Sequence, residues 1–268
     1  MKKTIAITLI VLLFASVVFA SGAKEAQGTV TLKVGATPEP HAAFLNLVKE
    51  ELKTSGVNLE IIEFTDYVTP NKALEDGQID ANFFQHIPYL ESFNKEQGYH
   101  LVNAGGIHIE PIALYSKKYK SLDALPTNGS IAIPNDPTNG GRALLLLQSA
   151  GLITLKSDAG ITATPLDIAS NPHNLKFKEI EAASLPRVLA DVDAAVINGN
   201  YAIPAGLKAN VDGLVIEGSD SPYVNVIAVK QGNENNKAVQ ALVAALQSVT
   251  IKDYVAKTYP NGEVVVVF

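Results

Sequence analysis

The sequence predicts an α/β protein of two similarly built lobes joined by two crossing strands. Three observations predict it. Strands alternate with helices along the chain, the same strand–helix order occurs twice, and two extended β-branched stretches lie where the chain would pass between the copies.

The first copy opens with Thr31–Gly35 (TLKVG), a short β run that leads into a loop at 36–41. A helix is expected near His41 to Thr54, with Phe44, Leu45, Val48 and Leu52 on one face and Gly56 as its stop. Leu59–Phe64 reads as the next strand. A short helix through Asn71–Glu75 should end at Gly77, which suits the left-handed helix end. Ile79–Phe84 is the third strand. The second copy repeats this order. Ser130–Ile133 is a strand, Asn135–Gly141 a Gly/Asn/Pro loop, and Arg142–Ala150 a helix stopped by Gly151. Leu175–Ile180 is a strand, Leu185–Ala190 a short helix, and Val192–Asn198 a strand. ALEDGQIDANFF and VLADVDAAVIN share a short helix, a turn and an Asp-Ala pair entering a strand.

Ile107–Tyr115 and Tyr223–Val229 are the expected crossing segments. Helices near 236–248 and 251–258 and a β tail at Val264–Phe268 should pack back on the first lobe. The expected division is therefore 30–112 plus 227–268 for lobe 1 and 113–226 for lobe 2. Such an interrupted lobe forms a hinge. Ahead of it, Lys2-Lys3, an apolar run from Ile5 to Phe19 and Val18-Phe19-Ala20 before Ser21 have the pattern of a secretory signal peptide, residues 1–20. The run falls short of the roughly 20 residues that span a bilayer. Residues 21–29 read as a tether.

Hydrophobic residues make up 47% of the 268 and charged residues 18%, enough apolar surface for a real core. The formal net charge is −6, and it becomes more negative once the segment carrying Lys2 and Lys3 is removed. An acidic chain without a basic stripe argues against nucleic acid as a partner. The absence of cysteine excludes disulfides, thiolate metal sites, thiol nucleophiles and thioether lipid anchors. No G-x-S-x-G elbow, H-E-x-x-H or Walker loop occurs, and the five histidines lack metal-motif spacing, so neither a metal nor another cofactor is expected. His108 and Glu110 have the spacing of a metal pair, which alternating strand residues commonly show by chance.

Three constellations could carry a ligand, since ligands of α/β sheets sit beyond the carboxyl ends of strands. Arg142 follows the loop PNDPTNGG at an expected helix start, where it could grip a carboxylate. An ordinary solvated arginine is the plainer reading, although a cation at a helix start is unfavourable for the helix. Phe84, His86 and Tyr89, with Tyr67 upstream, could form an apolar pocket with polar tips; a core cluster is the alternative, and for Phe83 the better one. Asn198 and Asn225 offer carbonyls to an ammonium group without adding charge, whereas Asn200 reads as a turn residue.

The stretches VGATPEPHA, DYVTPNKALEDGQIDANFFQHIPYL, IAIPNDPTNGGRALLLLQSAGLI, AVINGNYA and SPYVN closely resemble the NlpA/MetQ family of methionine-binding lipoproteins, over about Leu32 to Gly262. The resemblance implies a periplasmic-binding-protein fold, type II-like, that closes on L-methionine and delivers it as a monomer to the permease and ATPase of an ABC importer. It implies that Arg142 holds the ligand carboxylate, that Asn198 and Asn225 hold its polar end, and that Tyr67, Phe84, His86 and Tyr89 line the thioether pocket. A methionine-containing dipeptide or another amino acid is the alternative ligand, and an enzyme on a similar fold the alternative function. One departure stands out. Family members usually carry a lipidated cysteine at the cleavage site, where this chain has Ser21. An exported protein of the periplasm or cell envelope, soluble or loosely membrane-associated, is expected.

Overall fold

The computed structural model describes residues 29–218 and 221–268. The expected signal peptide, its cleavage site at Ser21 and the tether up to residue 28 lie outside these. The chain begins with β1 (Val30–Ala36), a kinked helical turn at Pro38–Ala42, α1 (Ala43–Thr54), β2 (Val57–Glu63), α2 (Thr69–Glu75), β3 (Ala81–His86), α3 (Ile87–Gln97) and β4 (Leu101–Ile109). It then forms β5 (Ala113–Tyr115), β6 (Ser130–Pro134), α4 (Pro137–Ser149), a small hairpin of β7 (Thr154–Leu155) and β8 (Ile168–Ser170), β9 (Lys176–Ile180), α5 (Leu185–Val188) and β10 (Ala194–Ile197). Two single-turn helices, α6 (Gly199–Ala202) and α7 (Ala209–Asp212), precede β11 (Gly213–Ile216). β12 (Val224–Lys230), α8 (Lys237–Leu246), α9 (Val249–Thr258) and β13 (Val265–Val266) complete the chain.

Two sheets result, ordered β2-β1-β3-β12-β4-β13 and β9-β6-β10-β5-β11. The duplication is visible in their topology. Each begins with three parallel strands whose first chain member is central, followed by an antiparallel strand and then one antiparallel to that. The chain changes sheets twice, from β4 to β5 through Glu110–Ile112 and from β11 to β12 through 217–223. Each link leaves the fifth strand of one sheet and enters the fourth of the other, so the two sheets are topologically equivalent.

The apolar faces expected from periodicity are the ones buried. Phe44, Leu45, Val48 and Leu52 of α1 pack with Leu32 and Val34 of β1, Val239, Leu242 and Leu246 of α8, and Ile251 and Val255 of α9. Each such side chain contributes roughly 1.5–3 kcal/mol by leaving water. The C-terminal helices thus close the first sheet's core, as expected. The second sheet buries Ile131 and Ile133 against Leu144 and Leu147 of α4.

The layout differs from the expected one in three places. α3 is an addition, with Pro88 in its first turn and Gly98 beyond its end at φ 71°. α4 begins at Pro137, capped by the Asp136 carboxylate on the Asn139 N–H, so the Gly/Asn/Pro stretch from Pro137 onward is helix rather than loop. Its glycines are needed for packing: a Cβ on Gly141 would come within 2.2 Å of the Ile161 carbonyl oxygen. Finally, Val224–Lys230 lies wholly in the first sheet, so the second crossing occurs before it.

Candidate functional site

Four strands deliver their ends, and a fifth its start, to a single cavity between the sheets. β3 ends at His86, β4 at Ile109 ahead of Glu110, β6 at Pro134 ahead of α4, and β10 at Ile197 ahead of Asn198. β12 enters the sheet at Val224, one residue before Asn225. Strand register then sets neighbours. Asn225 stands opposite His86 on β3 and opposite His108 on β4, so three polar side chains line up across adjacent strands.

The cavity is lined by Tyr67, Phe84, Gln85, His86, Tyr89, Glu110, Asn139, Arg142, Asn198, Gly199, Asn200 and Asn225. All seven residues expected from sequence are among them. Phe83 instead points into the first core, as its plainer reading held.

One end is aromatic. The rings of Tyr67, Phe84 and Tyr89 stand 5.8–6.0 Å apart at tilted or edge-on angles. The Tyr89 hydroxyl donates to the Tyr67 carbonyl at 2.8 Å, and the Tyr67 hydroxyl donates to Asn200 Oδ1 at 2.5 Å. Burial holds all these phenols protonated, with pKa values pushed up.

Joined to these rings is a polar network with Asn139 at its centre. His86 Nδ1 accepts from the Tyr89 N–H at 3.1 Å, which leaves Nε2 to carry the proton and donate to Asn139 Oδ1 at 3.1 Å. Asn198 Nδ2 donates to the same oxygen at 2.7 Å. The Asn139 amide donates to both oxygens of Asp136 at 3.0 Å. His86 is neutral: burial, then the Arg142 charge, lower its pKa to about 3. Two buried atoms of this wall have no protein partner among the described residues, the acceptor Asn198 Oδ1 and the donor Asn200 Nδ2. A buried polar atom without a partner costs about 1–3 kcal/mol, which a polar ligand would relieve.

Arg142 is only 3% exposed. It lies in the second turn of α4 and not at the helix start expected from the sequence; Asp136 caps that start. The guanidinium instead spans both links between the sheets. Nε donates to Glu217 Oε1 at 2.8 Å, Nη2 donates to Glu217 Oε2, and Nη2 also donates to the Glu110 carbonyl at 2.8 Å. Its carbon sits 4.1 Å from the centre of the Tyr223 ring. These bonds use Nε and Nη2; among the described residues none uses Nη1.

Glu110 faces the other side. Its Oε1 lies 2.8 Å from His108 Nε2 and 3.3 Å from His41 Nε2, and the latter also lies 3.2 Å from Asn225 Oδ1. The Thr37 hydroxyl bonds His41 Nδ1 at 2.8 Å. Both imidazole Nε2 atoms face oxygen acceptors, so both carry the proton there. Burial lowers the His41 pKa to about 4 and that of His108 to about 3, and raises that of Glu110. The three groups bring their polar atoms within 4.8 Å of one another, close enough for a cation. Hydrogen bonds use that closeness instead: a metal on Nε2 would force the proton onto His108 Nδ1, which has no acceptor among the described residues.

Besides Gln85, which lies inside β3, the wall residues that sequence reasoning missed are Glu110, Asn139, Asn200 and Gly199. Asn200 reads as a turn residue and Glu110 as half of a chance pair. The signal that marks them is position: each directly follows a strand end or lies in the first turn after one.

The NlpA lipoprotein family model matches residues 32–268. The membrane lipoprotein TpN32 of Treponema pallidum is 47% identical over 234 residues, covering 87% of this chain and 87% of that protein. The D-methionine-binding lipoprotein MetQ of Escherichia coli K12 is 48% identical over 211 residues, 78% of each chain. A solved structure of a nutrient-binding protein from Burkholderia cenocepacia bound to methionine matches with a TM-score of 0.86 and 48% identity, covering 88% of this chain and 100% of that one.

Proposed function

Since the chain belongs to the NlpA lipoprotein family, we propose that it is a solute-binding protein that captures L-methionine between its lobes and delivers it to an ABC importer. The observation that carries this reading is the polarity of the cavity. Its wall holds one guanidinium, one carboxylate, three phenyl or phenol rings and no further charged side chain. A zwitterion with an elongated, weakly polar side chain matches that arrangement.

In this reading the ligand carboxylate takes Arg142 Nη1 and the unpaired Asn200 Nδ2. The ammonium takes the oxygens of Asn198 and Asn225. The side chain lies among Tyr67, Phe84, Tyr89 and His86. Charge-assisted bonds contribute about 1.5–3 kcal/mol each, and burying a methionine side chain roughly 2 kcal/mol. After association costs, a Kd between ~nM and ~μM follows. The protein binds and releases and performs no bond chemistry, in keeping with its family.

Closure is the step that makes delivery specific. Tyr67 and His86 come from the first sheet's side, and Asn200 and Asn139 from the second, so their hydrogen bonds form only when the lobes meet around the cavity. A ligand touching both sides shifts the equilibrium toward that closed state. The permease–ATPase complex then reads the relative orientation of the lobes of a monomer. The sequence before the first sheet supports export to the cell envelope without a thioether lipid, given Ser21. Among the described residues no helix is long and apolar enough to cross a membrane.

Calorimetry of the purified chain against the twenty amino acids, D-methionine and short methionine peptides tests the assignment. Methionine should bind in the stated range without turnover, and D-methionine and the dipeptides separate the alternative ligands. No heat and no thermal shift with any of them, or consumption of the ligand, would overturn it.

A further inference from the structure

A second hollow lies between the lobes, and the methionine reading makes no use of it. The first lobe supplies Glu39 from the Pro38–Ala42 turn, Tyr254 from α9, and Tyr259 and Glu263 from the stretch between α9 and β13. The second lobe supplies Ile203, Pro204 and Leu207 from the stretch between α6 and α7. Glu263 is 5% exposed. Its Oε1 accepts from the Asn261 amide at 3.1 Å, while Oε2 is buried with no partner among the described residues. An acceptor left so is costly, and more so when it carries charge. Glu39 Oε2 accepts from the Tyr259 hydroxyl at 2.8 Å. Lys208 is the one cationic side chain on this wall, and it is exposed. Two carboxylates thus stand against one lysine, beside two phenol rings 6.2 Å apart and an apolar face.

We propose that this hollow is a second binding site, for a linear aliphatic diamine, and that its occupancy and methionine capture reinforce each other. The two carboxylates take the two ammonium groups, and Glu263 Oε2 gains the donor it lacks. The methylene chain lies on Ile203, Pro204 and Leu207, and the tyrosine rings add their attraction for a cation. A hard metal ion asks instead for six or more oxygens around one point, and an apolar wall offers none. Lys208 opposes a cationic ligand, but its long side chain is free to turn into water.

The coupling follows from two segments that the hollow shares with the methionine cavity. The Pro38–Ala42 turn places Glu39 in the hollow and His41 against Asn225, 3.2 Å from its Oδ1. At α6, Gly199 and Asn200 form cavity wall, and Ile203, just beyond the helix, lines the hollow and packs on the first lobe's core. Nearby, the Asn210 amide donates to the Asn261 carbonyl from one lobe to the other. A molecule touching both walls therefore favours the closed arrangement, which is also the one that holds the amino acid. Linkage makes the effect reciprocal. This coupling rests on the methionine reading; the diamine site does not.

Calorimetry on the full chain tests this with 1,5-diaminopentane, uncharged 1,5-pentanediol and methionine, at about 0.15 M salt so that loose attraction to an acidic surface is screened. The diamine should bind the parent at one site, at least tenfold more tightly than the diol. Glu263→Gln should weaken the diamine at least tenfold and leave methionine affinity unchanged when no diamine is present. Lys208→Ala should tighten the diamine. Glu179→Gln, which removes an exposed acid from β9 at the edge of the second sheet, should change neither. Saturating diamine should tighten methionine about fivefold or more, the usual lower range for coupled sites, and Glu263→Gln should abolish that gain. Diamine binding no stronger than that of the diol, or equal in the Glu263→Gln and Glu179→Gln proteins, overturns the site. If Glu263→Gln does not fold, Lys208→Ala decides: a diamine affinity that does not rise overturns it. Methionine affinity unchanged by saturating diamine overturns the coupling. A parent that binds the diamine as stated but no methionine supports the site and overturns the methionine reading.

Discussion

Asn139→Ala isolates the contact that joins the two sides of the cavity. In the folded protein Asn139 Oδ1 accepts from His86 Nε2 at 3.1 Å and from Asn198 Nδ2 at 2.7 Å. Truncation removes this shared acceptor and leaves two buried donors without partners. Each costs about 1–3 kcal/mol in a closed site. Water entering the space left by the amide relieves part of this, so a total near 2 kcal/mol is expected, or about 30-fold in affinity. The loss should fall on binding more than on folding. His86 and Asn139 belong to different lobes, so their bond stabilises the closed state, whereas the Asp136 cap uses the Asn139 backbone N–H and survives. Isothermal titration calorimetry with methionine reads the affinity, and a thermal melt without ligand reads the fold. A Kd within twofold of the parent, with the fold intact, would refute the reasoning that this junction holds the closed cavity.

Four further outcomes follow from the same geometry. Asn225→Ala removes an acceptor for His41 Nε2 and for the ammonium; by small-angle scattering it should stay open at methionine concentrations that compact the parent, and equal compaction would exclude it from closure. Gly199→Ala would place a Cβ 2.8 Å from Glu110 Cβ, so the carboxylate must move and affinity should fall about tenfold; unchanged calorimetry would show that the wall yields. Arg142→Ala should weaken methionine at least tenfold and also lower the melting temperature, because Glu217 and the Glu110 carbonyl lose their partner; unchanged affinity would reject its role. Stability should fall as pH drops from 6.5 toward 4. His41, His86 and His108 stay neutral in the fold, with pKa values lowered to about 4, 3 and 3, while the unfolded chain takes up protons below 6.5. Each histidine contributes roughly 1.4 kcal/mol per pH unit to that fall. The raised carboxyls of Glu110 and Asp136 oppose it over their own range, and a melting temperature that does not fall between pH 6.5 and 4.5 would contradict the sign.

Much of the fold is legible in the sequence because its signals are local. Phe44, Leu45, Val48 and Leu52 share a face by helical spacing alone, and the two copies of strand, helix and strand need no distant partner to be recognised. The seven residues expected at the cavity are legible for a related reason. Each follows or flanks a strand end, and in parallel sheets that position faces a cleft. α4 shows where local signals mislead. Pro137 through Gly141 has the composition of a loop, yet it is helical because Asp136 caps it and because glycine alone lets the helix approach Ile161.

What the tertiary structure decided is partnership. His41 and Asn225 are 184 residues apart, and they meet because β12 inserts between β3 and β4 in one register. Glu110 looks like a strand-end acid until the fold brings His41 to the oxygen that His108 already holds. Asn200 looks like a turn residue until Tyr67, 133 residues earlier, donates to it and leaves its Nδ2 turned to the cavity without a partner. Arg142 was legible as a cation near a cleft, but not as the group that ties both links together through Glu217 and the Glu110 carbonyl. The physical reason is range. Backbone propensity and side-chain periodicity are set within a turn of helix or a few residues of strand, whereas the charge state and free valence of a buried polar group depend on which distant atoms the closed chain places within 3 Å of it.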